Sequence, residues 1–122
     1  MVSFTFVVCA QPYQYEAIDT VLNLGDAIIK KGHQIIGIFF YGSGVYNIKD
    51  RKIKDPSIRN LSERLENFCK SNKTEFAACS TWTSLTGLRP EELIEGANQE
   101  GLGGLSLLIA ESDKVIFFGP GG

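Results

Sequence analysis

The sequence predicts an α/β fold, a three-layer α/β/α sandwich around a mostly parallel sheet of four or five strands. Three observations carry that expectation. Uncharged runs of β-branched and aromatic residues, such as Phe4-Thr5-Phe6-Val7-Val8 and Ile35-Ile36-Gly37-Ile38-Phe39-Phe40, read as strands buried on both faces, the mark of a parallel sheet. They alternate with stretches whose apolar residues recur at helical spacing, so consecutive strands are joined by right-handed crossover helices. Finally, 122 residues with 43% hydrophobic content suit one domain over residues 1–122, large enough for a core without disulfides or metals.

The elements follow in order. Residues 3–9 form the first strand, which Gln11-Pro12-Tyr13 breaks. From Glu16 to Lys31 a helix is predicted: Ile18, Val21, Leu22, Gly25, Ile28 and Ile29 repeat on one face, Lys30 and Lys31 suit its negative end, and Gly32 stops it. His33 lies in the next turn and is expected at the surface. Gln34–Phe40 is the second strand, and Tyr41–Asn47 is a loop over its carboxyl end. The Gly-x-Gly of that loop follows the second strand, lacks a third glycine and runs into no helix, which argues against a dinucleotide site. Residues 48–54 read as charged and exposed. Asp55 as cap and Pro56 in the first turn start a helix carrying Ile58, Leu61, Leu65, Phe68 and Cys69 on its apolar stripe, which places Cys69 in the core. Thr74–Cys79 is the third strand. Residues 80–88 form a loop or short helix, Arg89–Gly96 another short helix, Leu105–Glu111 the last helix, and Asp113–Phe118 a final buried strand.

Charge and composition narrow the function. Twelve basic and 14 acidic residues are mixed along the chain, for a net charge of −2 with no basic block, which argues against direct nucleic-acid binding. One histidine and three widely spaced cysteines support neither a zinc site nor a disulfide framework, and no metal or cofactor is expected. Residues 1–9 are apolar without a positive lead, and Pro12 ends the run too early for a signal peptide or a membrane span, so a cytoplasmic protein is expected. The Asn72-Lys73-Thr74 sequon is then incidental.

Cys79 is the leading candidate for chemistry. It ends the third strand, and in open α/β sheets ligands bind outside the carboxyl ends of the strands, so its thiol is expected to face a cleft. It is either a nucleophile or sulfur carrier, or a small buried hydrophobe. A thiol of ordinary pKa, about 8.5, is only slightly ionised at neutrality, so a carrier gains from donors near the sulfur. The amides of Ser80, Thr81 and Trp82 lie beside it in the chain, and Arg89 is the nearest downstream cation. Cys9 ends the first strand as Cys79 ends the third, so the two thiols share a sheet edge; a disulfide, a sulfur hand-over and plain packing all stay open for it. Trp82, Tyr41 and Tyr46 either shield the sulfur in a partly apolar pocket or make subunit contacts.

Phe39-Phe40-Tyr41 followed by Gly44-Val45-Tyr46-Asn47, then Cys79, then Gly87-Leu88 with Glu91–Gly96, and finally Ala110–Phe118, make a chain that resembles, nearly end to end, the DsrE/DsrF/TusD-like family of small sulfur-relay proteins. The resemblance implies a DsrE-like fold and a sulfurtransferase in which Cys79 carries sulfur as a persulfide. Ser80, Thr81 and Trp82, beside the sulfur in the chain, and Tyr41, Gly44 and Tyr46, in the loop over the same sheet edge, are the expected substrate-side residues. The resemblance also implies a TusA-like sulfur donor, a DsrC/TusE-like acceptor, a homo- or hetero-oligomer, no membrane partner, and service to tRNA wobble-uridine thiolation or dissimilatory sulfur oxidation. Two departures stand out: Trp82 occupies the place where many relatives carry a second cysteine, and the segment from Cys79 to Gly101 is shorter than in the TusD branch. One competing reading is a non-catalytic assembly subunit of a DsrEFH/TusBCD-like complex. Another is a carrier using a terminal Gly121-Gly122 thiocarboxylate, which the order of strands and helices disfavours.

Overall fold

A computed structural model describes residues 1–13, 16–51 and 53–119. The chain runs β1 (Ser3–Val8), α1 (Ala17–Lys30), β2 (Gln34–Phe40), a 3-10 segment over Gly42–Ile48, α2 (Leu61–Asn72), β3 (Glu75–Cys79), α3 (Ser80–Leu85), a 3-10 turn over Pro90–Glu92, β4 (Asn98–Glu100), α4 (Leu102–Glu111) and β5 (Lys114–Phe118). The strands pair in the order β4-β3-β2-β1-β5 and every pairing is parallel. The chain therefore steps outward from β1 to β4, then crosses back to lay β5 on the other side of β1. The predicted α/β sandwich is what the chain forms.

Alternation along the strands divides two cores. Phe6, Val8, Ile38, Phe40, Phe76 and Ala78 face α1 and α2, where they meet Ile18, Val21, Leu22, Leu65 and Phe68. Phe39, Ala77 and Cys79 face the other way and pack under Leu105 and Leu108 of α4. A fully buried ring such as Phe6 or Phe39 contributes about 1.5–3 kcal/mol, so the first and larger core dominates stability. Helices α1 and α2 approach closely because Gly25 has no side chain: a Cβ there would lie 2.6 Å from the Phe68 ring.

The 3-10 segment is drawn across the end of β1. Tyr41 donates its backbone N–H to Val8 at 3.0 Å, and a Cβ on Gly44 would fall 2.0 Å from the Val8 carbonyl oxygen. Asn47, only 3% exposed, donates through Nδ2 to the carbonyls of Ala10 and Gly44 at 2.8 and 2.9 Å, locking the loop in place.

Several local expectations need correction. Helix α2 begins at Leu61, not at Pro56, because Asn60 is its cap and accepts from the Glu63 N–H at 3.1 Å. Asp55 instead accepts from the Ser57 N–H at 2.9 Å in a turn of its own, which leaves Ile58 off the stripe and 47% exposed. Ile48, expected at the surface, is fully buried. The segment 89–96 forms only the single turn Pro90–Glu92, and α4 starts at Leu102, running through Gly103 and Gly104. Strand β4 was not foreseen. β5 is an edge strand that leaves Phe117 65% exposed, where a fully buried strand was predicted. Among the described residues no helix is long and apolar enough to cross a membrane. Gly121 and Gly122 lie outside the described residues.

Candidate functional site

The parallel register brings the predicted residues to one edge. Val8 pairs with Phe40, and Phe40 with Ala78, so one residue further Cys9, Tyr41 and Cys79 lie on a common line across the carboxyl ends of β1, β2 and β3. Cys79 in turn pairs with Glu100 of β4, and the Cys9 N–H continues the ladder to Phe118 at 2.8 Å. Of the three, Cys79 packs on the α4 face. Two strand spacings separate the Cα atoms of Cys9 and Cys79 by about 10 Å. A disulfide needs less than about 7 Å, so these two cannot bridge directly without backbone movement.

Cys79 itself sits deeper than an open cleft would place it. It is 2% exposed, in a small apolar cluster with Phe39 and Ala77 that Trp82, Leu105 and Leu108 cover. The cover comes from α4, twenty-odd residues on, which strand position alone does not reveal. Cys79 is also the N-cap residue of α3, with extended backbone and no side-chain capping bond. The first amides of a helix have no intrahelical acceptor, and those of α3 follow Cys79 directly in the chain. Helix α3 is held by its own threonine: Thr83 Oγ1 donates to Ser80 O at 2.9 Å and accepts from Gln99 Nε2 at 3.0 Å. Ser80 is half-buried and Thr81 exposed.

The aromatic residues divide. Tyr41 and Trp82 meet edge to face, centroids 5.9 Å apart at 70°, beside the Cys79 cluster. Tyr46 makes no ring contact with either; it packs half-buried against the larger core, and its carbonyl accepts from Arg51 Nη1 at 2.6 Å. Gly44 belongs to the site through its backbone, as the point where the loop crosses β1.

Arg89 does not reach the sulfur. Its Nε donates to Glu92 at 3.1 Å and lies 3.6 Å from Glu91, and these carboxylates push its pKa further up. Burial drives Cys69, 3% exposed, up to about 12, which makes it an inert core residue as predicted. Cys9 is half-buried, and the same desolvation raises its pKa. His33 accepts the Val2 N–H on Nδ1 at 3.0 Å, tying down the amino-terminal end of β1.

Two contributors were not singled out from sequence. Asn47 shapes the loop, and its buried Oδ1 has no hydrogen-bond partner; the signal was an amide at the end of a glycine-rich loop. Leu105 and Leu108 close over Cys79; the signal was that α4 carries only Ser106 and Glu111 as polar residues.

Comparison with known proteins shows the family and the fold. The model of the DsrE/DsrF-like family matches residues 2–118. A sulfurtransferase TusD homolog of Vibrio vulnificus (strain YJ016) is 26% identical over 126 residues, covering 94% of this chain and 96% of the relative. The putative sulfurtransferase DsrE of Allochromatium vinosum is 24% identical over 119 residues, 88% of this chain and 92% of its own. The crystal structure of the YchN protein of E. coli superposes with a TM-score of 0.82 at 22% identity, over 97% of this chain and all of that one, and shares the fold.

Proposed function

This chain belongs to the DsrE/DsrF-like family, and from that premise we propose that it is a sulfur-relay protein whose Cys79 accepts and donates sulfane sulfur. The Cys79 thiolate attacks the outer sulfur of a donor protein's persulfide and expels the donor thiolate. An acceptor thiolate then attacks the terminal sulfur of the Cys79 persulfide and releases Cys79 as thiolate. Sulfur moves with no net oxidation, so no cofactor enters.

The supporting observation is the position of Cys79 at the carboxyl end of an interior strand and at the start of α3, where the amides of Thr81 and Trp82 can meet the sulfur's charge. Neither other thiol has this: Cys69 is walled into the core and Cys9 precedes no helix directly. The Tyr41–Trp82 pair shields the persulfide from water, and access to it requires α3 or that pair to shift. A TusA-like donor and a DsrC/TusE-like acceptor, a cytoplasmic setting, and a homo- or hetero-oligomer of this one DsrE-like unit complete the proposal.

The test is the intact mass of the protein after incubation with a polysulfide donor. A gain of whole sulfur atoms, reversed by reductant and abolished in Cys79→Ser but kept in Cys9→Ser, is expected. The 2% exposure of Cys79 favours a second reading, a non-catalytic assembly subunit. On that reading wild type gains no sulfur and Cys79→Ser is functionally silent.

A further inference from the structure

The face of the sheet that carries Cys79 is less covered than the other. On the opposite face α1 and α2, 14 and 12 residues long, span the strands, whereas here the cover is α4, with 10 residues, and the six-residue α3. Helix α4 contacts β1, β2 and β4 and leaves a groove between itself and the β3–β4 edge. The groove is a cavity of about 220 Å³ with an apolar floor of Phe39 and Ala77, and Leu107, 60% exposed, forms its wall. Ligand pockets for small molecules run from about 300 Å³ upward, so this volume suits one or two side chains of a docked segment.

Its rim is of one sign. Glu75, Glu100 and Glu111 line the groove, no lysine or arginine among the described residues does, and none of the three forms an ion pair with a described cation. Elsewhere Asp19 pairs with Arg59 and Arg64, and Glu92 with Lys49 and Arg89. Glu111 stands in the last turn of α4, the negative end of that helix, where a carboxylate is unfavourable unless a cation joins it. An apolar floor with an acidic rim is complementary to a segment that offers apolar side chains flanked by lysine or arginine.

We propose that the groove between α4 and the β3–β4 edge docks an apolar, lysine- or arginine-flanked segment of the protein that exchanges sulfur with Cys79. That identity of the partner rests on the reading of Cys79 above. The location fits it: Ala77 of the floor lies two residues before Cys79 on the same face, and Glu100 of the rim is the register partner of Cys79. A segment seated there ends beside α3 and the Trp82 cover.

The probe is a peptide of about 15 residues with leucine and lysine at helical spacing, compared with a leucine–glutamate peptide of the same spacing, each titrated into the full chain. The leucine–lysine peptide is expected to bind one to one, less tightly as salt rises. Binding should weaken about tenfold in Glu100→Lys/Glu111→Lys and in Leu107→Ser. Asp26→Lys, the same charge change on the opposite face, should leave it unaltered. The proposal is overturned if the two peptides bind alike, if the leucine–lysine peptide does not bind, or if the groove variants leave its affinity unchanged. Sedimentation of the free chain adds a further check: self-association that Leu107→Ser dissolves would assign the groove to a second copy and overturn the proposal as well. Repeating the titration on Cys79→Ser separates docking from sulfur chemistry, since groove binding survives there even if the sulfur reading fails.

Discussion

Gly44 lacks a side chain because the Val8 carbonyl occupies the place one would take, 2.0 Å from the position of a Cβ. A methyl group there must push the loop off β1 and break the Asn47 bonds with it. Gly44→Ala is expected to cost about 3 kcal/mol or more, read as a fall in the denaturation midpoint; an unchanged midpoint would refute the close approach. The cysteines separate at the same scale. Half-buried Cys9 should alkylate first under native conditions, Cys79 only as α3 or its aromatic cover opens, and Cys69, its thiol pushed up to about 12, only on unfolding. Alkylation of Cys69 ahead of Cys9 would contradict these environments. Which cysteine ends a strand could be read directly from residues 74–79, because an apolar run and its polar successor are local. That Cys79 is covered could not, because Leu105 and Leu108 arrive from a distant helix. Arg89 misled for a similar reason: proximity in sequence said nothing of Glu91 and Glu92, which hold it.

Among elements, the legible ones are those whose burial leaves a periodic record. β2 ends where predicted because Ile38, Phe39 and Phe40 are buried on both faces. β4 leaves no such record: Asn98, Gln99 and Glu100 are polar and exposed, and only pairing with β3 makes them a strand. The start of α2 was misplaced because Asp55-Pro56 and Asn60 are both plausible caps, and the choice falls to the one whose side chain reaches a helical amide. Asn60→Ala should therefore destabilise by about 1 kcal/mol, while Asp55→Ala should cost less, by thermal denaturation. The junction of β1 and β5 depends on pH. Asp113 accepts from the Ser3 N–H and hydroxyl at 2.8 and 3.1 Å, which holds its carboxyl below the usual value. A carboxylate depressed in the folded state stabilises it at pH above the unfolded pKa, about 3.9, and that stabilisation is lost as pH falls through the folded value. The midpoint should drop below about pH 4, and Asp113→Asn should flatten that drop; equal acid slopes in the two proteins would rule the link out.

For the whole molecule, the topology does the positioning. A parallel sheet brings every strand's carboxyl end to one edge, so Cys9, Tyr41, Cys79 and Glu100 align there without any motif joining them in sequence. The fold class could be read from the alternation of strand-like and helix-like runs. The uneven cover of the two faces could not, since it depends on where α4 lands. That unevenness leaves the acid-rimmed groove beside the buried thiol; under the proposed function, a docked segment that disturbs Trp82 would give access to it. The central claim, that Cys79 and no other thiol carries the sulfur, is tested most directly by loading wild-type protein briefly with limiting polysulfide, trapping with an alkylating agent, and mapping the added sulfur by tandem mass spectrometry. The added sulfur is expected on the peptide containing Cys79. Sulfur found instead on Cys9, or on no cysteine, would contradict it.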